Sequence, residues 1–199
     1  MVRWWALGLV GACGFNAGAT PDGSQMARDA AMARDGAMPD AMPDAMMAPP
    51  PIVIEAESYT IERESQTESW APATAIAGYS GASYMQCGPD SGAYCPNDAN
   101  LATCAAAMTY DLSISSAATY YVHARTYGSN TSSDSLWYGI DSVPATDAIS
   151  FIDDNTWHWQ TGTTTYDLTA GTHTLTIYQR ECGAVVDVVA VTTASTNPP

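Results

Sequence analysis

The sequence contains no lysine. Its six basic residues are all arginines, set against 21 aspartates and glutamates for a net charge of -15 over 199 residues. With so little positive charge there is no basic face for phosphates, which argues against nucleic acid as a partner. No Cys-x-x-Cys or histidine-rich spacing occurs, so zinc is not expected. Long helical periods are missing, and no apolar run is long enough to cross a bilayer as a helix. "GYSGAS" lacks the second glycine spacing of a nucleophile elbow, and His123, His158 and His173 lie in strand-like segments without a partnered nucleophile.

What is present is enough apolar sequence to build one core of ordinary size. After Pro51 come short alternating segments rich in Val, Ile, Thr, Tyr and Trp: "PIVIEAESYTI", "AAAMTYDLSI", "TYYVHARTYG", "DSLWYGIDSV", "TWHWQTG", "GTHTLTIYQR" and "AVVDVVAVTT". Gly, Ser, Asn and Asp separate them, as turns require. Seven such strands predict an all-β fold, a two-sheet antiparallel β-sandwich. Period-two alternation places Tyr120, Val122, Ala124, Leu136, Tyr138 and Ile140 inward. It turns Tyr121, His123, Arg125, Tyr127 and Trp137 to the other faces.

One residue breaks the apolar pattern. Asp187 interrupts a run of valines, and a carboxylate there costs several kcal/mol or more unless something pairs with it. The partner could be a cation, or an arginine such as Arg180 or Arg63.

The order and spacing of "IEAES", "GYSGASYM", "ATYYVHARTYG", "DSLWYGID", "WHWQTG", "LTAGTHTLTIYQRE" and "VVDVVAVT" resemble the β-sandwich carbohydrate-binding modules of families six and thirty-five. The resemblance spans nearly all of residues 52 to 193. It implies a jelly-roll, galactose-binding-like sandwich without catalytic activity, and a structural calcium ion held by Glu55, Glu57 and Asp187. Hard carboxylate oxygens are what calcium takes, and Glu55 and Glu57, two residues apart, share one face of a strand. The chain departs from the family pattern between Cys87 and Cys104, where a cysteine-rich insertion stands, and at Cys182.

A sugar site needs aromatic platforms and planar polar side chains. Arg125, Tyr127, Asp134, Trp137, Trp157, Trp159, Arg180 and Glu181 are the candidates. Tyr127, Asp134, Trp157 and the Glu181–Gly183 turn suit a site in the loops at one end, whereas Trp137, Arg125 and His123 suit a sheet face. Each tryptophan could instead pack in the core. Asp153 with Asp154 or Glu181 could be imagined as a hydrolytic pair, but adjacent acids in a loop more often form turns.

The start of the chain reads as an export signal. Arg3 precedes the short apolar run "WWALGLVGA", which ends in "VGAC". That tetrapeptide resembles a bacterial lipobox, which implies residues 1–13 as the signal, lipidation at Cys13 and anchoring to the outer membrane or cell surface by lipid alone. An ordinary secretory peptide cut near Ala17 or Ala19 is the alternative. Residues 14–51, with "MARDAAMARDGAM" and "MPDAMPDAMM", read as a low-complexity tether, although a Met-rich segment could also take copper. Residues 52–199 then form the sandwich domain. Export accords with four further cysteines, for which two disulfides are expected, Cys87 with Cys95 and Cys104 with Cys182 among three connectivities. The expected partners are a polysaccharide or glycan and a glycoside hydrolase.

Overall fold

A computed structural model of the chain describes residues 48–65, 67–96 and 98–198. The export signal, Cys13 and most of the tether lie outside the described residues. Twelve strands follow: β1 (Ile52–Glu55), β2 (Ile61–Arg63), β3 (Ser69–Ala73), β4 (Tyr84–Gly88), β5 (Ala107–Ile114), β6 (Ala118–Tyr127), β7 (Ser135–Ile140), β8 (Val143–Pro144), β9 (Ile149–Ser150), β10 (Trp157–Leu168), β11 (Gly171–Gln179) and β12 (Val185–Thr192). They make two antiparallel sheets. The first runs β10-β6-β12-β4-β3, with β1 also on β12; the second runs β2-β5-β11-β7-β8, with β9 also on β7.

The inner faces meet as the alternation predicts. Tyr120, Val122 and Ala124 of β6 and Val186, Val189 and Val191 of β12 pack in one buried cluster with Leu136, Tyr138 and Ile140 of β7 and Leu175 and Ile177 of β11. Side chains of this size each contribute roughly 1.5–3 kcal/mol when fully buried.

Two features of this frame position the site. β4 and β1 pair end to end along one edge of β12, β4 at Val185 and Val186 and β1 from Val188 to Val191. On the other edge, β6 pairs with Val186 and Val188 and skips Asp187. The bulge turns Asp187 out of the valine ladder, which is how an acid fits in that run. The junction between β1 and β4 lies opposite it.

The second feature is the cysteine insertion. Its residues Cys95, Leu101 and Ala105 pack on Trp137 and Tyr178, on the outer face of the second sheet. Trp137 therefore lies on the expected face yet is only 7% exposed. The expected outward-facing platform is corrected to a core residue, because the insertion covers it and its indole N–H donates to the Cys95 carbonyl at 2.9 Å.

The disulfide pairing also differs from expectation. Cys95 bonds to Cys104, with Cα atoms 5.7 Å apart, because the short helix α1 (Leu101–Cys104) folds the insertion back on itself. Neither Cys87–Cys95 nor Cys104–Cys182 forms, and Cys87 on β4 faces the main core instead.

Candidate functional site

The outer face of the first sheet carries Tyr121, His123, Arg125 and Tyr127, because their neighbours in β6 point inward. Register with β10 sets Trp157 opposite Tyr127, Trp159 opposite Arg125 and Thr161 opposite His123. Cross-strand partners in register share a face, so four of the predicted sugar-binding residues form one strip. All four are half-buried. The Trp157 ring meets Tyr127 and Tyr84 edge-on at centroid distances of 5.3 and 5.6 Å, and the Arg125 guanidinium lies 5.2 Å above it. Edge contacts and a cation over the ring hold it in one orientation.

His123 does not join the strip as a ligand group. It is fully buried, its ring nitrogens meeting the hydroxyls of Thr161 at 2.8 Å and Thr192 at 2.9 Å. Burial lowers its pKa, so the neutral ring is favoured. The face site expected around His123 is corrected accordingly. Asn197, near the end of the chain, accepts from Thr161 at 3.0 Å and donates to the Trp159 carbonyl at 3.3 Å.

The connection between β3 and β4, residues 74–83, borders the strip at Trp157 and Arg125 and ties it to the acids. The Ala77 carbonyl accepts from the Trp157 indole at 2.9 Å, and the Gly78 carbonyl accepts from Arg125 at 3.0 Å. Ser80 donates its N–H to Asp187 at 3.0 Å and its hydroxyl to Glu55 at 2.6 Å. The Glu57 Oε1 atom accepts from the N–H groups of Ala82 and Ser83. Nothing in "ATAIAGYSGAS" marked the carbonyls of Ala77 and Gly78 as anchors, since their role is a property of backbone shape.

Asp187 is fully buried and accepts from the Arg125 guanidinium. Its partner is thus neither Arg180 nor Arg63; Arg63 is spent on the carbonyls of Leu101, Ala102 and Ala105. Burial raises the Asp187 pKa, against the lowering pull of Arg125 and the Ser80 N–H.

Whether the acids suit calcium can be tested on their geometry. Glu57 lies in a 3-10 turn, Ala56–Ser58, and not on the strand that ends at Glu55, so the shared strand face is corrected. The two carboxylates converge all the same. A Cβ added to Gly81 would stand 2.5 Å from Glu57 Oε1 and 3.1 Å from Glu55 Oε2, and Glu57 Oε2 is buried without a hydrogen-bond partner. Paired oxygens and an orphaned one fit a hard cation. Among the described residues, no three acid, imidazole or thiol side chains converge as a ready metal site, and Asp187 is already neutralised by Arg125.

The remaining candidates gather elsewhere, around the turn after β11. Arg180 donates to Ser135, to Glu181 at 2.9 Å and to the Tyr94 hydroxyl at 2.9 Å. Glu181 accepts from the Asp134 N–H at 2.9 Å. Burial, then the hydrogen bond with Glu181, pushes the Asp134 carboxyl up to about 6. Tyr94, which the sequence reading missed, is 50% exposed and is paired by backbone bridge to Glu181. Its signal was only an aromatic beside a cysteine in an insertion with no alternation. Asp154 accepts from the Thr156 N–H at 3.0 Å, as a turn-forming acid does, and from His158.

No family model and no curated protein matches the sequence. Solved structures do match. A family 35 carbohydrate-binding module from Clostridium thermocellum aligns with a TM-score of 0.53 at 16% identity, over 73% of this chain and 100% of that one. The CBM35 from Paenibacillus barcinonensis gives 0.53 at 18% identity, over 72% and 99%. The Podospora anserina GH26-CBM35 β-(1,4)-mannanase gives 0.53 at 19% identity, over 75% of this chain and 29% of the enzyme. The two sheets, their antiparallel pairing and these superpositions together give the chain the β-sandwich fold of the family 35 carbohydrate-binding modules.

Proposed function

We propose that the domain binds a polysaccharide or glycan without cleaving it, on the strip formed by Trp157, Tyr127, Arg125 and Trp159. The observation that carries this reading is the cross-strand register that sets two tryptophans against a tyrosine and an arginine on one face. Rings lend their faces to the apolar side of a pyranose, and the guanidinium supplies planar donors. The fold shared with modules named for carbohydrate binding supports the same conclusion. Catalysis is disfavoured because three of the acids are otherwise engaged: Asp187 with Arg125, Glu181 with Arg180 and the Asp134 N–H, and Asp154 in a turn. This leaves the exposed Asp153 without a second carboxylate among them free to pair with it.

Two further parts of the reading rest on chemistry. Calcium would be held by Glu55 and Glu57 with Asp187 beside them, neutralising the crowded glutamates and ordering residues 74–83 against Trp157. The Cys95–Cys104 bond fits an oxidising compartment, in keeping with export and a lipid anchor at Cys13. A glycoside hydrolase is the proposed partner, by analogy with the mannanase in which such a module is joined to GH26.

A structural or adhesive surface domain without a sugar site is the competing reading. It is favoured by the engagement of the Trp157 indole N–H with Ala77, which leaves that donor unavailable to a ligand. A glycan-array screen of the exported full chain, with calcium and with a chelator, separates the two. Binding that is lost in Trp157→Ala while the fold is retained is the expected result. No binding in either condition from folded protein would overturn the proposal in favour of the structural reading. A rise in Tm on adding calcium, absent in Glu57→Gln, tests the metal independently of any sugar.

A further inference from the structure

Four cysteines fall within the sandwich domain, and only two of them are bonded, Cys95 to Cys104. The other two, Cys87 and Cys182, are each fully buried. They belong to chain segments that pair directly. The Gly183 N–H donates to the Cys87 carbonyl at 2.8 Å, and the Cys87 N–H donates to the Ala184 carbonyl at 2.9 Å. Two residues facing one make a bulge, with Gly183 at φ 83° as its left-handed member. Cys182 is the next residue back along the chain, where the turn from β11 arrives at β4.

Both thiols also border the same buried acid. Ser91 donates to Glu68 at 2.6 Å and lies 3.5 Å from the Cys182 sulfur. Burial raises the Cys87 thiol far above its ordinary value, and the charges of Cys182 and then Glu68 push the same way, so the three groups are electrostatic neighbours. The Cys182 thiol donates to the Ala93 carbonyl at 3.0 Å, and Glu68, 2% exposed, keeps its Oε2 atom without a partner beside the two thiols.

We propose that Cys87 and Cys182 form a second disulfide, fastening β4 to the turn that leads into β12. The bond would hold in place the segment carrying Arg180 and Glu181, and through them Asp134 and Tyr94. Formation removes two protons and two electrons from the thiols. The electrons pass to an oxidant of the disulfide class by thiol–disulfide exchange: one thiolate attacks the oxidant's disulfide, the second displaces it from the mixed disulfide, and the oxidant leaves as a dithiol. Exchange needs a thiolate, which burial suppresses, so the bond forms before the sandwich closes over it.

The test is peptide mapping of the full chain, exported from an oxidising host, denatured and alkylated without reductant. The expected result is a cross-linked peptide joining Cys87 to Cys182, with neither residue alkylated. Alkylation of both, or a bond from either to Cys95 or Cys104, would overturn the proposal. Variants give a second readout. With the bond present, Cys87→Ser and Cys182→Ser each lower Tm by roughly 5–15 °C, and the double variant lowers it no further. Two independent buried thiols would give losses that add, which would also overturn it.

Discussion

Arg125 donates to the carboxylate of Asp187 across adjacent strands, and the acid is wholly out of solvent while the arginine keeps 24% of its side chain exposed. The asymmetry decides what each substitution does. Removing the arginine leaves a charge buried among valines, whereas removing the acid leaves an arginine that can reach water. Arg125→Met should therefore destabilise the fold by about 3–5 kcal/mol near neutral pH, and Asp187→Leu combined with it should recover most of that loss. Denaturant midpoints of the two variants check this. The single variant's deficit should shrink on acidification, because the Asp187 pKa is raised by burial and protonation removes the stranded charge.

Trp137 and Trp157 should separate stability from binding. Trp137 is buried beneath the cysteine insertion, so Trp137→Ala should cost about 3–5 kcal/mol while each folded molecule keeps its glycan affinity. Thermal unfolding and a binding titration on the same sample measure both quantities. A Trp137→Ala protein that folds as well as the parent but no longer binds would return this residue to the site.

The contrast between these two tryptophans marks how far the sequence could be read. Alternation in "TYYVHARTYG" and "DSLWYGID" placed the inward residues correctly, because period two is intrinsic to an extended chain and one covered face selects its phase. It also put Trp137 on the outer face, where it is. Burial of that face was not legible, because it depends on where an insertion without periodicity folds. The Arg125–Asp187 pair was hidden for a related reason. It arises from a bulge that skips one residue of β12, and a bulge has no signature in a run of valines. His123 alternates outward like Arg125 and Tyr127, yet Thr161 and Thr192 enclose it from the neighbouring strands.

Glycine 81 offers a test of the acidic cradle with an internal control. Gly81 and Gly92 both have left-handed backbones, at φ 66° and 73°, so alanine at either carries a conformational cost of about 1–2 kcal/mol. Only at Gly81 would the new methyl also press on carboxylates, whereas nothing lies within 4 Å of it at Gly92. Gly81→Ala should therefore lose more stability than Gly92→Ala and should abolish any rise in Tm with calcium, which Gly92→Ala keeps. Equal losses in the two variants, with the calcium response intact, would show that the glutamates do not converge at Gly81.

Asp134 supplies a pH dependence whose sign is opposite to that of a salt-bridged acid. Its carboxyl is pushed up to about 6 by burial and by the hydrogen bond with Glu181, above its ordinary value of 3.8. Between these two values the folded state holds a proton that the unfolded state has released. Stability therefore falls as pH rises across that window, and the contribution is constant on either side of it. Asp141 and Asp147 have lowered values, so their dependence falls below the window and runs the other way. Asp187 shares the raised direction but is untouched by substitution at Asp134. Subtracting the urea midpoints of Asp134→Asn from those of the parent at pH 4, 5, 6 and 7 thus removes every group but Asp134 and its contact with Glu181. The difference should decline from pH 4 to pH 6 and level off by pH 7. A flat difference would mean that burial and the contact with Glu181 do not raise the Asp134 carboxyl above its ordinary value.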